Sequence, residues 1–275
     1  MKKGSFTTII LIIALAVGLS LLLYPTFSNY WNDLHQTKAI ANYDSVLANM
    51  SREDYSHLFE AAAQYNEALR KTKFPLMYFD EVPGYEDALN VTGNGIMGYI
   101  NIDKIGVQLP VYHGTDEAVL QIAVGHVEGS SLPTGGESTH CVLSAHRGLP
   151  SARLFTDLDK IELGDTFTLS VLDLVMTYQV DQILIVGPKD VEPLYVTEGE
   201  DYCTLVTCTP YGVNSHRLLV RGTRVENEKQ YANVRVTADA ALIDPLLVAS
   251  FVAVPLLAVL LILLMLPRHR KRQED

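Results

Sequence analysis

Three side chains of this sequence could together carry out acyl transfer: those of Cys208, His146 and Arg217. A cysteine attacks a carbonyl as its thiolate, a histidine can move the proton of a leaving amine, and a cation can stabilise the developing oxyanion. Arg217 follows Cys208 by nine residues, and His146 precedes both. The three residue types therefore predict a cysteine-nucleophile site if the fold brings them together.

Each of these residues lies at the end of a predicted strand. Cys208 closes the apolar run 203–207, and a turn-rich stretch separates it from the strand that begins with His216 and Arg217. His146 closes the run 141–145. A side chain at a strand end is held by the sheet and exposed at its rim, so we expect thiol, imidazole and guanidinium to meet at one rim. Geometry, and not chain order, defines such sites.

The elements that must position the site are mostly short strands separated by turn residues, a pattern typical of a β-barrel or sandwich. One helix, residues 116–124, is predicted to interrupt them. Two amphipathic helices are predicted within residues 30–71, the second starting at a box formed by Ser51 and Asp54, and residues 72–95 form a connecting loop. The predicted strands are residues 98–102, 108–112, 140–145, 166–171, 176–186, 202–207 and 216–222.

Two uncharged runs, residues 6–24 and 245–267, are long enough to cross a bilayer. The first is longer than the apolar region of a cleaved secretory signal, so an uncleaved anchor is favoured. The second is not read as a cell-wall sorting signal, because residues 225–245 contain no Leu-Pro-x-Thr-Gly motif. Basic residues flank both outer ends, which predicts that both termini are cytoplasmic and the middle is extracellular.

The predicted organisation follows from these spans. It is a cytoplasmic N-terminus (1–5), a transmembrane helix (6–24), an extracellular helical stalk with a possible lid (25–85), a catalytic β-barrel (86–226), a linker (227–244), a second transmembrane helix (245–267) and a basic cytoplasmic tail (268–275).

The predicted exported part is strongly acidic. The chain has 21 lysines and arginines and 32 aspartates and glutamates. Residues 1–24 and 245–275 together contain six of the basic residues and two of the acidic ones. Residues 25–244 therefore carry 15 basic against 30 acidic side chains. Nucleic-acid binding is disfavoured, because neutralising phosphates needs a basic face.

Three cysteines are too few for a disulfide scaffold. Cys141 lies five residues before His146, and Cys203 lies five before Cys208, so in regular strands each points away from its catalytic neighbour. A bridge between Cys141 and Cys203 is conceivable, but buried free thiols are favoured.

The residues around the three candidates resemble those of the sortase family, most closely its pilin-polymerising class C. The motif Thr-Leu-x-Thr-Cys occurs at residues 204–208, and His146 and Arg217 occupy the positions of the family's histidine and arginine. The resemblance extends from about residue 90 to 225 and includes the blocks 125–133, 144–150 and 208–222.

This resemblance implies a mostly β fold, an eight-stranded β-barrel with N-terminal helices and two transmembrane helices, on the outer face of a Gram-positive bacterium. It implies that Cys208 forms a thioester at the threonine of a Leu-Pro-x-Thr-Gly-like motif, while His146 moves protons and Arg217 steadies the oxyanion. The acceptor in class C is typically a lysine amine of another pilin subunit. Neither a metal nor an organic cofactor is required.

Two further roles are hypotheses. Thr207, next to the nucleophile, is a candidate for substrate contact, although a threonine in a strand is usually structural. Many class C enzymes carry a lid with an Asp-Pro-aromatic motif, and Asp80 and Tyr85 offer related residue types in altered spacing. A lid over the cysteine and a plain connecting loop are equally compatible with this segment.

Three other functions are compatible with some of these residues. A housekeeping sortase would attach surface proteins to a cell-wall precursor. The residues of the chain do not identify the acceptor amine, so this function stays an alternative. A membrane-anchored metal-binding protein could use His140, Cys141, His146, Cys203 and Cys208, yet no pair has zinc-ligand spacing. In a non-catalytic scaffold these residues would have only a structural role in packing. This structural role is the interpretation for His113, His126 and His216.

Overall fold

The computed structural model describes residues 3–227 of the chain. The chain divides into two units, one containing the residues up to Tyr30 and one that begins at Trp31. The second predicted span, the basic tail and all but the first residue of the predicted linker lie outside the described residues.

Helix α1 is a single helix from Lys3 to Leu47. The sequence predicts a span that ends at residue 24 and a stalk from residue 25, but the helix continues through Pro25. Within residues 3–227, this helix alone is long and apolar enough, by length and composition, to cross a membrane. Its apolar side chains, such as Leu21 and Leu22, are exposed, as suits contact with lipid.

Helix α2 runs from Arg52 to Lys71 and starts where the sequence predicts. The Ser51 side chain accepts a hydrogen bond from the Asp54 backbone, and the Asp54 carboxylate accepts one from the Ser51 backbone. This capping box satisfies two amide groups that a helix start leaves without partners. Tyr65 and Leu69 on one face of the helix are buried in the core.

Eight strands form a closed barrel in the order β1-β2-β3-β4-β7-β8-β6-β5. The predicted eight-stranded barrel is therefore confirmed. Seven strands lie where alternation predicts them, whereas β3 has only three residues, too few to show a period of two. The strands are β1 Ile96–Ile102, β2 Val107–His113, β3 Val124–His126, β4 Thr139–Ser144, β5 Thr166–Val171, β6 Leu174–Val186, β7 Asp201–Thr209 and β8 His216–Val225.

The predicted helix at residues 116–124 is shorter in the structure. Helix α3 spans Glu117–Leu120, and strand β3 begins at Val124. The apolar spacing that indicated a longer helix reflects burial of Ala123 and Val124 at the start of the strand.

Pairing of β1 with β5 closes the barrel. A Cβ atom at Gly98 would lie 2.2 Å from the Ser170 carbonyl oxygen, so the close approach of these two strands requires a glycine. Leu143, Leu205 and Val220 are fully buried in the core.

Tyr43 attaches the C-terminal part of helix α1, which belongs to the second unit, to the barrel. Its buried hydroxyl donates to the Met97 carbonyl oxygen at 2.9 Å and accepts from the Leu172 amide at 2.8 Å. Met97 lies at an irregularity in the pairing of β1 with β2, and Leu172 lies in the turn after β5. The tyrosine thus provides hydrogen bonds to backbone groups at two irregular positions.

We predict that Tyr43→Phe lowers the free energy of unfolding by about 2 kcal/mol, because two buried backbone groups lose their partner. Urea denaturation of the full-length protein in detergent measures this change. Tyr78→Phe is the control, since Tyr78 is 46% exposed and its change should stay within about 0.5 kcal/mol. Equal effects of the two substitutions would contradict the role of Tyr43.

Candidate active site

The parallel pairing of β4 with β7 brings His146 next to Cys208. The paired residues run from Thr139 with Asp201 to Ser144 with Val206, a constant offset of 62 positions. The Ala145 amide donates to the Val206 carbonyl oxygen at 3.2 Å, so the pairing extends beyond the end of β4. Continued by two more residues, the same offset sets His146 opposite Cys208, which is the arrangement that we infer from this register.

The antiparallel pairing of β7 with β8 brings in the third residue. Cys208 is directly opposite Arg217 in this register. Directly opposed residues in antiparallel strands have Cβ atoms about 4.5–5.5 Å apart. The structure therefore brings the three sequence-predicted catalytic residues to one rim of the barrel.

Alternation along β4 and β7 separates Cys208, the candidate nucleophile, from the other two cysteines. Cys208 is partly exposed, whereas Cys141 and Cys203 are buried and face each other across the two strands. All three are free thiols, which confirms the prediction of buried free cysteines. Burial raises the pKa of the Cys203 thiol well above its ordinary value, so Cys203 is a poor candidate for a nucleophile.

The His146 ring is only partly exposed, at 28%. Its Nε2 atom is buried and has no hydrogen-bond partner in the described part of the chain. The nearest charged oxygen is Glu117 Oε2, at 3.6 Å, which is longer than a hydrogen bond. The Phe155 amide donates to the His146 carbonyl oxygen and so holds the backbone of the loop.

Arg217 is held by the turn before β8. Its guanidinium donates from one terminal nitrogen to the carbonyl oxygens of Asn214 and His216, at 3.3 and 3.1 Å. Within residues 3–227 Arg217 forms no salt bridge. Its remaining N–H donors can therefore serve an oxyanion or a peptide carbonyl beside Cys208.

The two threonines of the motif connect β7 to β4. Thr207 is buried, and its hydroxyl donates to the Ala145 carbonyl oxygen at 2.8 Å, one residue from His146. Thr204 Oγ1 lies 2.7 Å from His140 Nε2. Thr207 thus helps to fix the backbone next to His146, the candidate catalytic histidine, relative to strand β7, and its contact with substrate stays a prediction.

His140 also connects to the segment between β6 and β7. Its Nδ1 lies 3.0 Å from the Tyr195 carbonyl oxygen. A neutral His140 imidazole can donate from Nδ1 to the Tyr195 carbonyl oxygen and accept at Nε2 from the Thr204 hydroxyl. Both ring nitrogens then have a hydrogen-bond partner. The sequence offers His140 only as a candidate metal ligand, whereas the structure gives it this structural role. Within residues 3–227 no group of three or more metal-ligating side chains occurs.

The two candidate lid residues differ in their surroundings. Asp80 is exposed, within a short 3-10 helix at Phe79–Glu81. Tyr85 is buried, with its hydroxyl 2.9 Å from His126 Nδ1 and accepting from the Gly114 amide at 3.0 Å. Burial raises the pKa of the Tyr85 phenol well above its ordinary value, so the hydroxyl stays neutral. The lid role of this segment stays a prediction.

Two contacts near the site have no signal in the sequence. Glu117 lies 29 positions before His146, and only the fold brings them together. Tyr211, in the turn after β7, packs on the loop after His146: a Cβ atom at Gly148 would lie 2.9 Å from its ring. In the sequence, the acidic residues at the start of helix α3 indicate only the beginning of a helix and not a contact with His146.

Comparison with known proteins gives the family of this architecture. The family model for the sortase domain matches residues 100–225. The chain is 49% identical in sequence to sortase C1 from Streptococcus agalactiae, whose crystal structure it matches with a TM-score of 0.64. This match covers 70% of this chain and 100% of that one. Sortase C of Streptococcus pneumoniae is 42% identical, with 69% and 97% covered and a TM-score of 0.60.

A curated relative is more distant. Sortase D of Bacillus subtilis is 30% identical over 131 residues, which cover 46% of this chain. The match spans 63% of the length of that relative.

Burial of His140 predicts a pH dependence of stability. Burial lowers the pKa of His140 from its ordinary value of 6.5. Below about pH 6.5, His140 is therefore protonated more readily in the unfolded chain than in the folded protein. The free energy of unfolding falls as the pH falls. We predict that His140→Gln reduces the loss of unfolding free energy between pH 7.5 and about pH 5, as measured by urea denaturation at steps of pH.

The exposed His216 provides the matched control. His216→Gln makes the same substitution at an exposed ring and so controls for the change of side chain itself. A His140 variant that keeps the slope of the wild type would show that this ring does not contribute to it.

Proposed function

Because the chain belongs to the sortase family of cysteine transpeptidases, we propose that it cleaves a Leu-Pro-x-Thr-Gly-like motif between Thr and Gly and transfers the acyl group to an amine. The observation that supports this proposal is the strand register, which pairs Cys208 with Arg217 and, continued two residues beyond Ser144 and Val206, sets His146 opposite Cys208. On this proposal the nucleophile, the proton carrier and the oxyanion donor share one rim of the barrel.

In the first half-reaction, the Cys208 thiolate attacks the threonyl carbonyl carbon, and a C–S bond forms. Negative charge develops on the carbonyl oxygen, where the N–H groups of Arg217 can stabilise it. The tetrahedral intermediate then collapses, the C–N bond to glycine breaks, and His146 donates a proton to the departing amine. The product is a thioester on Cys208.

In the second half-reaction, an amine attacks the thioester carbonyl. His146 takes a proton from the amine, a C–N bond forms, the C–S bond breaks, and the Cys208 thiolate is restored. One amide is exchanged for another, so the reaction needs no external energy source.

The proposed acceptor is a lysine amine of a pilin subunit. Support comes from the solved relatives, which include sortase C1 of S. agalactiae and a sortase C of S. pneumoniae whose structure concerns pilin substrate specificity. The partners are then surface proteins that carry a sorting signal.

The proposed location is the outer face of the cell membrane, with both termini cytoplasmic. Support comes from the N-terminal apolar helix, which suggests membrane anchoring, and from the acidic charge of residues 25–244. The second span at residues 245–267 completes the proposed topology.

We predict that Cys208→Ala abolishes thioester formation with a sorting-motif peptide, because no other thiol faces the rim. Cys141→Ala and Cys203→Ala should retain the thioester, since both side chains are buried. Mass spectrometry of the full-length protein after incubation with the peptide detects the acyl-enzyme. A thioester in the Cys208 variant would overturn the assignment.

The same assay tests the acceptor. With a pilin-derived lysine peptide added, we expect an isopeptide product and loss of the acyl-enzyme. A product that forms only with a peptidoglycan stem peptide would contradict pilin polymerisation and favour cell-wall anchoring.

We predict that Arg217→Lys lowers kcat for peptide cleavage by roughly 10- to 100-fold, because a lysine keeps the charge but loses the planar fork of donors. Arg224→Lys is the control, since Arg224 lies seven residues, or about 23 Å, further along β8. Full activity in the Arg217 variant would assign oxyanion stabilisation to another group.

A further inference from the structure

We propose that Glu117 is a positioning residue for His146: its carboxylate orients the imidazole through Nε2 and stabilises the imidazolium that forms during acyl transfer. The inference rests on the proposed transpeptidase function. Its starting observation is that His146 Nε2 is buried and has no hydrogen-bond partner among the described residues, while Glu117 Oε2 lies 3.6 Å away.

The Glu117 carboxylate is oriented by its own helix. Gln121, one turn later, donates from its side-chain amide to Glu117 Oε1 at 3.0 Å. The other oxygen, Oε2, is the one nearest His146. The hydrogen bond from Gln121 is the largest cause that holds the pKa of the Glu117 carboxyl below its usual range, with the nearby His146 acting in the same direction. The group is therefore an anion at neutral pH.

The backbone around Glu117 is fixed on both sides. Before the helix, the Gly114 amide donates to the buried Tyr85 hydroxyl at 3.0 Å. A Cβ atom at Gly125 would lie only 2.3 Å from the Gly114 carbonyl oxygen, so this turn packs directly on β3. After the helix, the Gln36 side chain donates to the Ile122 carbonyl oxygen at 2.7 Å.

Such an arrangement matches the needs of a histidine that must both give and take a proton. An imidazole exchanges protons with the reactants through one nitrogen, and a group at the other nitrogen sets its tautomer and orientation. With Glu117 at Nε2, the Nδ1 atom is the one left for the amine and the thiol. The present separation exceeds a hydrogen bond, as is common for catalytic contacts before the substrate binds.

The test compares Glu117→Gln, Glu117→Asp and the control Glu60→Gln in the full-length protein. Glu60 is an exposed glutamate of helix α2, so its variant makes the same change of charge away from the site. We expect Glu117→Gln to lower kcat for peptide cleavage about fivefold with KM unchanged, since a carboxylate that is 70% exposed is partly screened by water. Glu117→Asp should keep more activity than Glu117→Gln, and Glu60→Gln should match the wild type.

Three results would overturn the inference: an unchanged kcat in Glu117→Gln, a rise of KM that accounts for the whole loss, or an equal loss in Glu60→Gln. Because Glu117 is largely exposed, its variants should unfold at the temperature of the wild type, which thermal denaturation checks. Failure of this inference is distinguishable from failure of the proposed function, since in the latter case the wild type itself would not form the thioester on Cys208.

Discussion

The register between β4 and β7 is the constraint on which the site depends. A slip of one residue would turn the side chains of one strand to the opposite face and would separate His146 from Cys208. The pairing is reinforced at both ends by side chains, Thr204 with His140 near one end and Thr207 with Ala145 at the other. Thr204 and Thr207, close to Cys208 in sequence, therefore keep β4 and β7 aligned.

The same alternation sorts the three thiols by exposure. Cys203 and Cys208 share one strand, but an odd separation of five residues sends them to opposite faces. Cys203 then faces Cys141 in the interior, where burial disfavours the thiolate, whereas Cys208 reaches the rim. Strand parity is a local property, so this distinction could be predicted without knowledge of the fold.

Features that depend on contacts distant in sequence could not be predicted in this way. Strand β3 is defined by its parallel pairing with β2 and not by its own pattern, so the alternation of apolar residues does not predict it. Helix α1 continues through Pro25 although a proline removes one backbone donor from the helix. The approach of Glu117 to His146 depends on how the turn after β2 packs on β3, which no local signal contains. By contrast, the capping box of helix α2 and the strand ends that carry His146, Cys208 and Arg217 follow from short-range rules.

The segment that carries Tyr85 is coupled to the site through its packing. Tyr85 contacts the ring of His126 on β3 and the Gly114 amide in the turn that leads to Glu117. Moving this tyrosine out would leave two buried polar groups without partners, at a cost of about 1–3 kcal/mol each. It would also remove one of the contacts that fix the turn before helix α3. A rearrangement of residues 75–90 that includes Tyr85 must therefore alter the surroundings of His146, whether or not the segment covers Cys208.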